Sequence, residues 1–342
     1  MHPSQEGNDM ESMNNFRERA ALFLVLLRRA SQLPRPGVRG QRLRHTESAN
    51  ARQGNLWKHR SAGRAVATFL GVLGLVLGSV TLTQADVINC GDVLGPGGIF
   101  QLEHDVTCPS PERAITIQDG AVLDLNGHTV TCNPPGIRCV VLTGKKAQLW
   151  NGTVDGAEHE SITLEGTGRH TVWNVTSTPL DSNIIVTSDH NWLINVRAES
   201  GTNPAFNISG DHNRLVDSMA HCPSIAFGGC ISVSGDKNHL IGNSVSVDED
   251  LIFPGGFGVG GIRVTGDDNR LRLNHATNRE GVAIVVVGNG NDIRFNTAQG
   301  GTLDLQDTNG DCTHNTWKFN IFTTSDPACI DAGGARDKVA AK

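Results

Sequence analysis

The chain contains one run of acidic residues with the chemistry of a metal site. Asp248, Glu249 and Asp250 are consecutive, and a glycine-rich segment, residues 251–261, follows them. Carboxylate oxygens are the ligands that Ca²⁺ prefers. The run lies in the longest of the repeats described below, and insertions in repeat proteins form loops that often carry function. We therefore predict a candidate calcium site here, the alternative being a solvated acidic turn.

A set of arginines is the second candidate for chemistry. Arg263, Arg272 and Arg294 each stand between apolar neighbours, so strand alternation predicts that their side chains point outward. Together with the acidic run they resemble the catalytic and metal-binding residues of calcium-dependent uronate lyases. In those enzymes the metal neutralises the substrate carboxylate, and a basic residue removes the neighbouring proton. The competing interpretation is a set of unrelated surface arginines.

A hydrolase is a further enzymatic hypothesis. Asp267 and Asp268 are adjacent, and glycoside hydrolases use paired carboxyl groups as acid and base. The pair belongs to a turn that recurs along the chain, which makes this hypothesis the weakest one. The chain contains no tyrosine, which excludes an epimerase mechanism that needs one.

Charge is unevenly distributed along the chain. The 342 residues include 29 Lys and Arg and 35 Asp and Glu, for a formal net charge of −6. Residues 1–64 hold 12 of the basic and 5 of the acidic residues, so the remainder has a net charge of −13. Because an acidic region is unsuited to a polyanion, we expect no nucleic-acid partner.

The N-terminal part of the chain has the features of an export signal. A basic segment, residues 58–64, precedes an apolar run, residues 65–80, and small residues up to Ala85 suit a signal peptidase. The apolar run is shorter than the roughly 20 residues of a membrane-spanning helix. We predict a signal peptide at residues 58–85 and a secreted mature chain, extracellular or periplasmic, with no stable membrane span. Residues 1–57 are expected to be a disordered basic extension or a misassigned start.

From residue 86 onward one pattern recurs: a short apolar strand, a polar turn and a second short strand. The second strand contains one apolar residue, the anchor, and successive anchors lie 21–31 residues apart. The anchors are Leu123, Leu149, Val172, Leu193, Leu215, Leu240, Leu271, Ile293 and Trp317. A period near 24 residues built from short strands and Gly or Asn turns, without helical periodicity, is typical of a β-solenoid.

Several motifs carry a family resemblance. The segment Leu123–Val130, the recurring Gly-Asp-x-Asn turns and the closing segment Asn315–Asn320 resemble secreted β-helix proteins of the pectate-lyase-like superfamily. The resemblance covers residues 87–332. It implies that residues 86–342 form an all-β, right-handed, single-stranded parallel β-helix of about nine coils. It does not imply a reaction, because the superfamily includes lyases, hydrolases, epimerases and non-catalytic adhesive proteins.

Asparagines recur in two series, which we interpret as structural ladders. The first series consists of Asn191, Asn213, Asn238, Asn269 and Asn291. The second consists of Asn126, Asn151, Asn174, Asn195, Asn243, Asn274, Asn296 and Asn320. Amides stacked one coil apart can bond to each other and to turn backbone groups. The alternative, a calcium-binding nonapeptide solenoid, requires a Gly-Gly-x-Gly-x-Asp repeat that the chain lacks.

Tryptophan often forms a platform for sugars. Trp150 and Trp173 each precede an asparagine of the second series, and the equivalent position is apolar throughout. The equivalent residues are Leu125, Ile194, Leu273, Phe295 and Phe319. We therefore expect this position to face the core. Trp192 comes one residue before an anchor, so alternation turns it outward and makes it the candidate for sugar stacking.

All eight cysteines lie beyond residue 85, and no Cys-x-x-Cys motif occurs, which disfavours zinc and redox sites. Eight cysteines allow 105 pairings, but a solenoid keeps sequence neighbours close in space. We therefore favour four local disulfides. The pairs are Cys90–Cys108, Cys132–Cys139, Cys222–Cys230 and Cys312–Cys329.

Three functional hypotheses result. The preferred one is a secreted β-helix that serves as a polysaccharide-binding or surface-binding scaffold, because structural repetition accounts for almost every residue that catalysis would use. The second is a divergent calcium-dependent polysaccharide lyase, and the third is a glycoside hydrolase. The sequence requires no cofactor, and calcium at the acidic run is the only one it suggests. It indicates no particular oligomeric state.

Overall fold

In a computed structural model the chain is described over residues 87–109, 114–133, 138–156, 160–178, 183–225, 228–250 and 260–333. The predicted signal peptide and the extension before it lie outside these residues. The described part is an all-β parallel solenoid of about nine turns, which confirms the predicted fold class. Each turn contributes up to three short strands, and equivalent strands of successive turns pair in parallel to form three faces.

The strands are numbered in chain order. The first face is an 11-stranded parallel sheet. It consists of β1 (Asp92–Leu94), β4 (Ile115–Gln118), β7 (Arg138–Thr143), β9 (Glu160–Leu164), β11 (Asn183–Val186), β14 (Phe206–Ile208), β17 (Gly229–Val233), β20 (Gly260–Val264), β23 (Val282–Val286), β26 (Leu303–Asp307) and β28 (Ser325–Asp326). A 3-10 helix, Ala328–Gly333, follows the last strand.

The other two faces share two long strands. The second face consists of β2 (Ile99–Gln101), β5 (Val122–Asp124), β12 (Trp192–Ile194), β15 (Arg214–Val216), β18 (His239–Ile241), β21 (Arg270–Arg272), β24 (Asp292–Arg294) and β27 (Thr316–Lys318). The third consists of β3 (Val106–Cys108), β6 (Thr129–Cys132), β13 (Arg197–Glu199), β16 (Met219–Ile225), β19 (Ser244–Asp250), β22 (His275–Asn278) and β25 (Thr297–Gly300). The long strands β8 (Gln148–Asp155) and β10 (Thr171–Thr178) run through both faces.

The anchors form the inner row of the second face. Each pairs directly with the anchor of the next turn, from Leu123 to Trp317. All are buried, since even Trp317 at the end of the row is only 5% exposed. One turn cannot bury this row alone, so stacking of turns supplies the hydrophobic stabilisation.

The first asparagine series forms a ladder at the corner between the first and second faces. The backbone N–H of each member donates to the Oδ1 of its equivalent one turn further on, at 2.7–2.9 Å. Asn315 completes the ladder by accepting from the N–H of Asn291. These bonds satisfy backbone donors at a corner where strand pairing stops, which supports the structural interpretation.

The second asparagine series divides into two different ladders at the corner between the second and third faces. Asn151, Asn174 and Asn195 lie two residues after their anchors, with φ of 53–56°, and their side chains bond to one another on the outside. Asn243, Asn274 and Asn296 lie three residues after theirs and are buried. Their N–H groups donate to Oδ1 atoms of the next turn at 2.9–3.0 Å.

All four predicted cysteine pairs lie at bonding distance, with Cα–Cα distances of 5.5–5.9 Å, inside the usual range for disulfides. Cys132–Cys139 and Cys222–Cys230 each join a strand of the third face to the next strand of the first face. They therefore close the corner at which repeat length varies most.

No helix within the described residues is long and apolar enough to cross a membrane.

A buried histidine takes the place of an asparagine in the first ladder. The N–H of His170 donates to Asn191 Oδ1 at 2.8 Å, and His170 Nδ1 accepts the N–H of Ala147 at 3.1 Å. Its Nε2 lies 2.9 Å from the carbonyl oxygen of Glu165, so this nitrogen carries the proton. Burial lowers the pKa of His170 below its usual value, and protonation of Nδ1 would displace the Ala147 N–H from its acceptor.

We predict that His170 makes the fold acid-sensitive. Because its pKa is lowered in the folded state, its contribution to stability is present above the unfolded pKa, near 6.5, and is lost as pH falls through the folded pKa. His170→Asn keeps an acceptor for Ala147 without a titrating group, so it should weaken the acid dependence. Unfolding free energies of both proteins at pH 7.5 and pH 5 test this. An unchanged difference between the two pH values in the variant would contradict it.

Candidate functional site

The outer surface of the second face carries a continuous apolar row. In five successive turns the residue just after the anchor is apolar and at least partly exposed. These residues, the apolar row, are Trp150, Trp173, Ile194, Val216 and Ile241. The same column continues with the cationic residues Arg272, Arg294 and Lys318. An apolar strip that leads into cations is therefore displayed at the regular spacing of the coils.

The tryptophans occupy the opposite side of the sheet from the one predicted. We expected Trp150 and Trp173 to face the core, but Trp173 is 45% exposed and Trp150 is partly exposed. The anchors before them point inward, and strand alternation turns the next residue outward. Of the seven residues grouped by that prediction, only Leu125 is fully buried.

The two indole rings pack against each other. Their centroids lie 6.4 Å apart with an interplanar angle of 84°, which is an edge-to-face arrangement. This geometry is favourable for aromatic pairs. Two perpendicular rings on neighbouring turns leave apolar surface available to a ligand that lies along the column.

A second exposed apolar row, the corner row, lies beside the cations. Leu273, Phe295 and Phe319 are 60%, 51% and 49% exposed, and each has φ of 58°. The phenyl rings stack with centroids 5.1 Å apart and planes within 13°. Left-handed backbone disfavours bulky residues, so this row exposes apolar surface in an unfavourable conformation.

Sequence reasoning missed the corner row because it treated all turns as equivalent. In the turns from Leu149 onward, the signal is the spacing from anchor to asparagine. The turn of Leu123 differs, because its spacing is three and yet Asn126 is left-handed, with φ of 52°, and Leu125 is buried. In Leu149–Asn151 the spacing is two, and asparagine occupies the left-handed corner. In Leu271–Asn274 it is three, so asparagine moves inside and Leu273 takes the corner.

The three candidate arginines do not form one row. Arg272 and Arg294 are neighbours on the second face. Both contact Asp292, Arg272 at 2.7 Å and Arg294 at closer range. Arg263 lies in β20 on the first face, paired with Ser232 and Val285. The structure thus brings two of the three together, around a carboxylate that offsets one of their charges.

Trp192 faces outward at the edge of β12, as predicted. It is partly exposed, and the guanidinium carbon of Arg214 lies 4.4 Å from its ring centroid. A cation over the indole is favourable and covers one face of the ring. Stacking of a sugar on Trp192 must therefore use the other face or displace Arg214.

The acidic run lies at the end of β19 on the third face, and the segment after it, residues 251–259, lies outside the described residues. Asp248 and Glu249 are exposed. As successive residues of a strand they project to opposite sides, which hinders joint coordination of one ion. Among the described residues no group of three His, Cys, Asp or Glu side chains could hold a metal. The calcium site thus stays a prediction.

The pair proposed for hydrolysis belongs to a carboxylate ladder. The Oδ1 of Asp267 accepts the N–H of Asn289 at 2.7 Å, and its own N–H donates to Asp236 Oδ1 at 2.7 Å. Asp268 occupies the left-handed turn position, with φ of 55°. Both residues therefore have a role in the turn.

No family model matches the chain, and neither a curated protein nor a solved structure matches it. Beyond the shared solenoid fold, the pectate-lyase-like resemblance remains a hypothesis.

The corner row yields a stability prediction. Leu273→Asn should raise the unfolding free energy by about 1 kcal/mol, because asparagine tolerates left-handed backbone and Leu273 buries little surface. Equilibrium denaturation measures the change. The reverse substitution, Asn174→Leu, is the matched control: it removes bonds to Asn151 and Asn195 and should destabilise the protein. Destabilisation by Leu273→Asn would show that Leu273 is not strained.

Proposed function

We propose that the protein is a polysaccharide-binding scaffold, and that the second face and its adjoining corner form the binding surface. The observation that carries the proposal is the exposed column from Trp150 to Lys318, in which apolar residues are followed by cations. A row repeated once per turn suits an extended polymer, because each turn can contact a further part of the same chain.

The chain beyond residue 64 is acidic overall, but this surface gathers three cations in one column, and that local chemistry favours a carboxylated sugar polymer. At its cationic end, Arg272, Arg294 and Lys318 are each followed directly by a member of the corner row. Guanidinium groups bind carboxylates, while indole rings and apolar side chains contact the C–H faces of sugars. Asp292 offsets only one of these three positive charges, so the cationic end keeps a net positive charge.

The lyase hypothesis has less support from geometry. It needs the acidic run and the arginines beside one groove, but Asp248 lies on the third face and Arg263 on the first. Arg272 and Arg294 lie on the second face, each beside Asp292. Secretion agrees with the four disulfides, because such bonds persist in oxidising compartments.

The binding surface predicts a specific mutational result. One polymer of the panel below is expected to retain the protein. The double variant Trp150→Ala/Trp173→Ala should raise the dissociation constant for that polymer at least about tenfold, because it removes both exposed indoles. The panel is pectate, alginate and neutral polysaccharides, and affinity electrophoresis followed by calorimetry measures binding.

The matched control is Met219→Ala, which truncates an exposed apolar residue (43%) of the third face. It should bind like the unchanged protein. Retention on no polymer, or equal loss in both variants, would overturn the proposal. Formation of unsaturated uronate ends during the assay would instead establish the lyase.

A further inference from the structure

The third face carries a histidine that lies between a serine and an aspartate. His221 Nδ1 lies 2.9 Å from Ser246 Oγ, and His221 Nε2 lies 3.8 Å from Asp248 Oδ2. The imidazole therefore uses one nitrogen toward a hydroxyl and the other toward a carboxylate. The first distance is that of a hydrogen bond, whereas the second is longer than a hydrogen bond and lies within ion-pair range. A histidine in this position can act as base toward the serine while the carboxylate stabilises its charged form.

The fold holds these residues in place. Ser246 lies between Val245 and Val247, which are 1% and 2% exposed, so strand alternation fixes its side chain outward. His221 pairs with Ser246 in the parallel register and is followed by Cys222, which is joined to Cys230. A nucleophile and a base on adjacent strands of a rigid sheet need little reorganisation to react.

A cleft adjoins Asp248. It has a volume of about 310 Å³ and is lined by Asp248, Thr277, Arg279 and Gln299, among others. Thr277 is the direct partner of Ser246 on the following turn, so the cleft begins next to the serine. Arg279 and Gln299 carry N–H groups that can stabilise an oxyanion.

We propose that Ser246, His221 and Asp248 form an esterase site that acts on small acyl esters of exposed hydroxyl groups. Ser246 Oγ attacks the ester carbonyl carbon while its proton passes to His221 Nδ1. The C–O bond to the alcohol breaks, and the alcohol leaves with that proton. Water then attacks the acyl-serine, His221 takes and returns one proton, and the carboxylic acid and free Ser246 are released. The site is independent of the binding surface on the second face.

The first experiment treats the disulfide-bonded protein with a fluorophosphonate probe and locates the label by peptide mass spectrometry. The expected result is modification of Ser246, and its absence in His221→Gln. Ser244→Ala is the matched control, since Ser244 lies two residues earlier on the same strand. It should be labelled like the unchanged protein. Absence of label, or label that persists in Ser246→Ala, would overturn the proposal.

The second experiment measures hydrolysis of 4-nitrophenyl acetate. Ser246→Ala should lower the rate at least about 100-fold, and Asp248→Asn should lower kcat with little effect on KM. Circular dichroism and the unfolding midpoint establish that each variant is folded, which is expected because all three side chains lie on the surface. A folded Ser246→Ala variant with undiminished hydrolysis would refute the proposal, because imidazole alone would then account for the rate.

Discussion

Backbone groups at the corners of the solenoid depend on side chains of the neighbouring turn. Along the faces, parallel pairing satisfies the N–H and C=O groups, but pairing stops where the chain changes direction. Each N–H of the first asparagine ladder finds its acceptor one turn further on. The acceptor must recur at the same place in every turn. This requirement limits insertions at the ladder corners and leaves the connection from the third to the first face free to vary. That connection has three residues between β16 and β17 and nine between β19 and β20.

Much of the fold follows from local alternation and repetition. The anchors and the first asparagine ladder were predictable because the same residue type recurs at one position per turn. The four cysteine pairs were predictable because a solenoid keeps sequence neighbours close in space. The orientation of Trp173 and Phe295 was not predictable from a single averaged repeat. The left-handed corner residue lies two residues after the anchor both at Asn174 and at Phe295. What differs is the asparagine, which occupies the corner in the first case and the next position in the second. The residue before the asparagine is therefore an outward strand residue at Trp173 and the corner residue itself at Phe295. A shift of one residue exchanges the inside for the outside, as it does in any strand.

The sequence alone does not show which residues of the candidate sites contact one another. Asp248 stands out in the sequence because two acidic residues follow it. Its contact with His221 does not stand out, since the two residues lie 27 positions apart. The pairing register of the strands brings His221 next to the strand that carries Asp248. His221 and Ser246 each lie six residues after an anchor, Leu215 and Leu240, and therefore stand side by side on successive turns. Alignment of the repeats on their anchors would have placed His221 and Ser246 at equivalent positions. That they contact each other follows only once the pairing of the strands is known.

The corner row bears on the choice between structural and functional explanations. Asparagine tolerates the left-handed conformation that this corner requires, and it occupies the corner at Asn151, Asn174 and Asn195. In three later turns it places Leu273, Phe295 and Phe319 there and exposes about half of each. The ladder does not require this, because the buried asparagines occupy the following position whatever residue stands at the corner. Bulky apolar residues therefore add backbone strain and exposed apolar surface without improving the packing of the core. Contact with the proposed polymer along this edge would account for both costs, because it would bury the surface and pair with the cations that precede each residue.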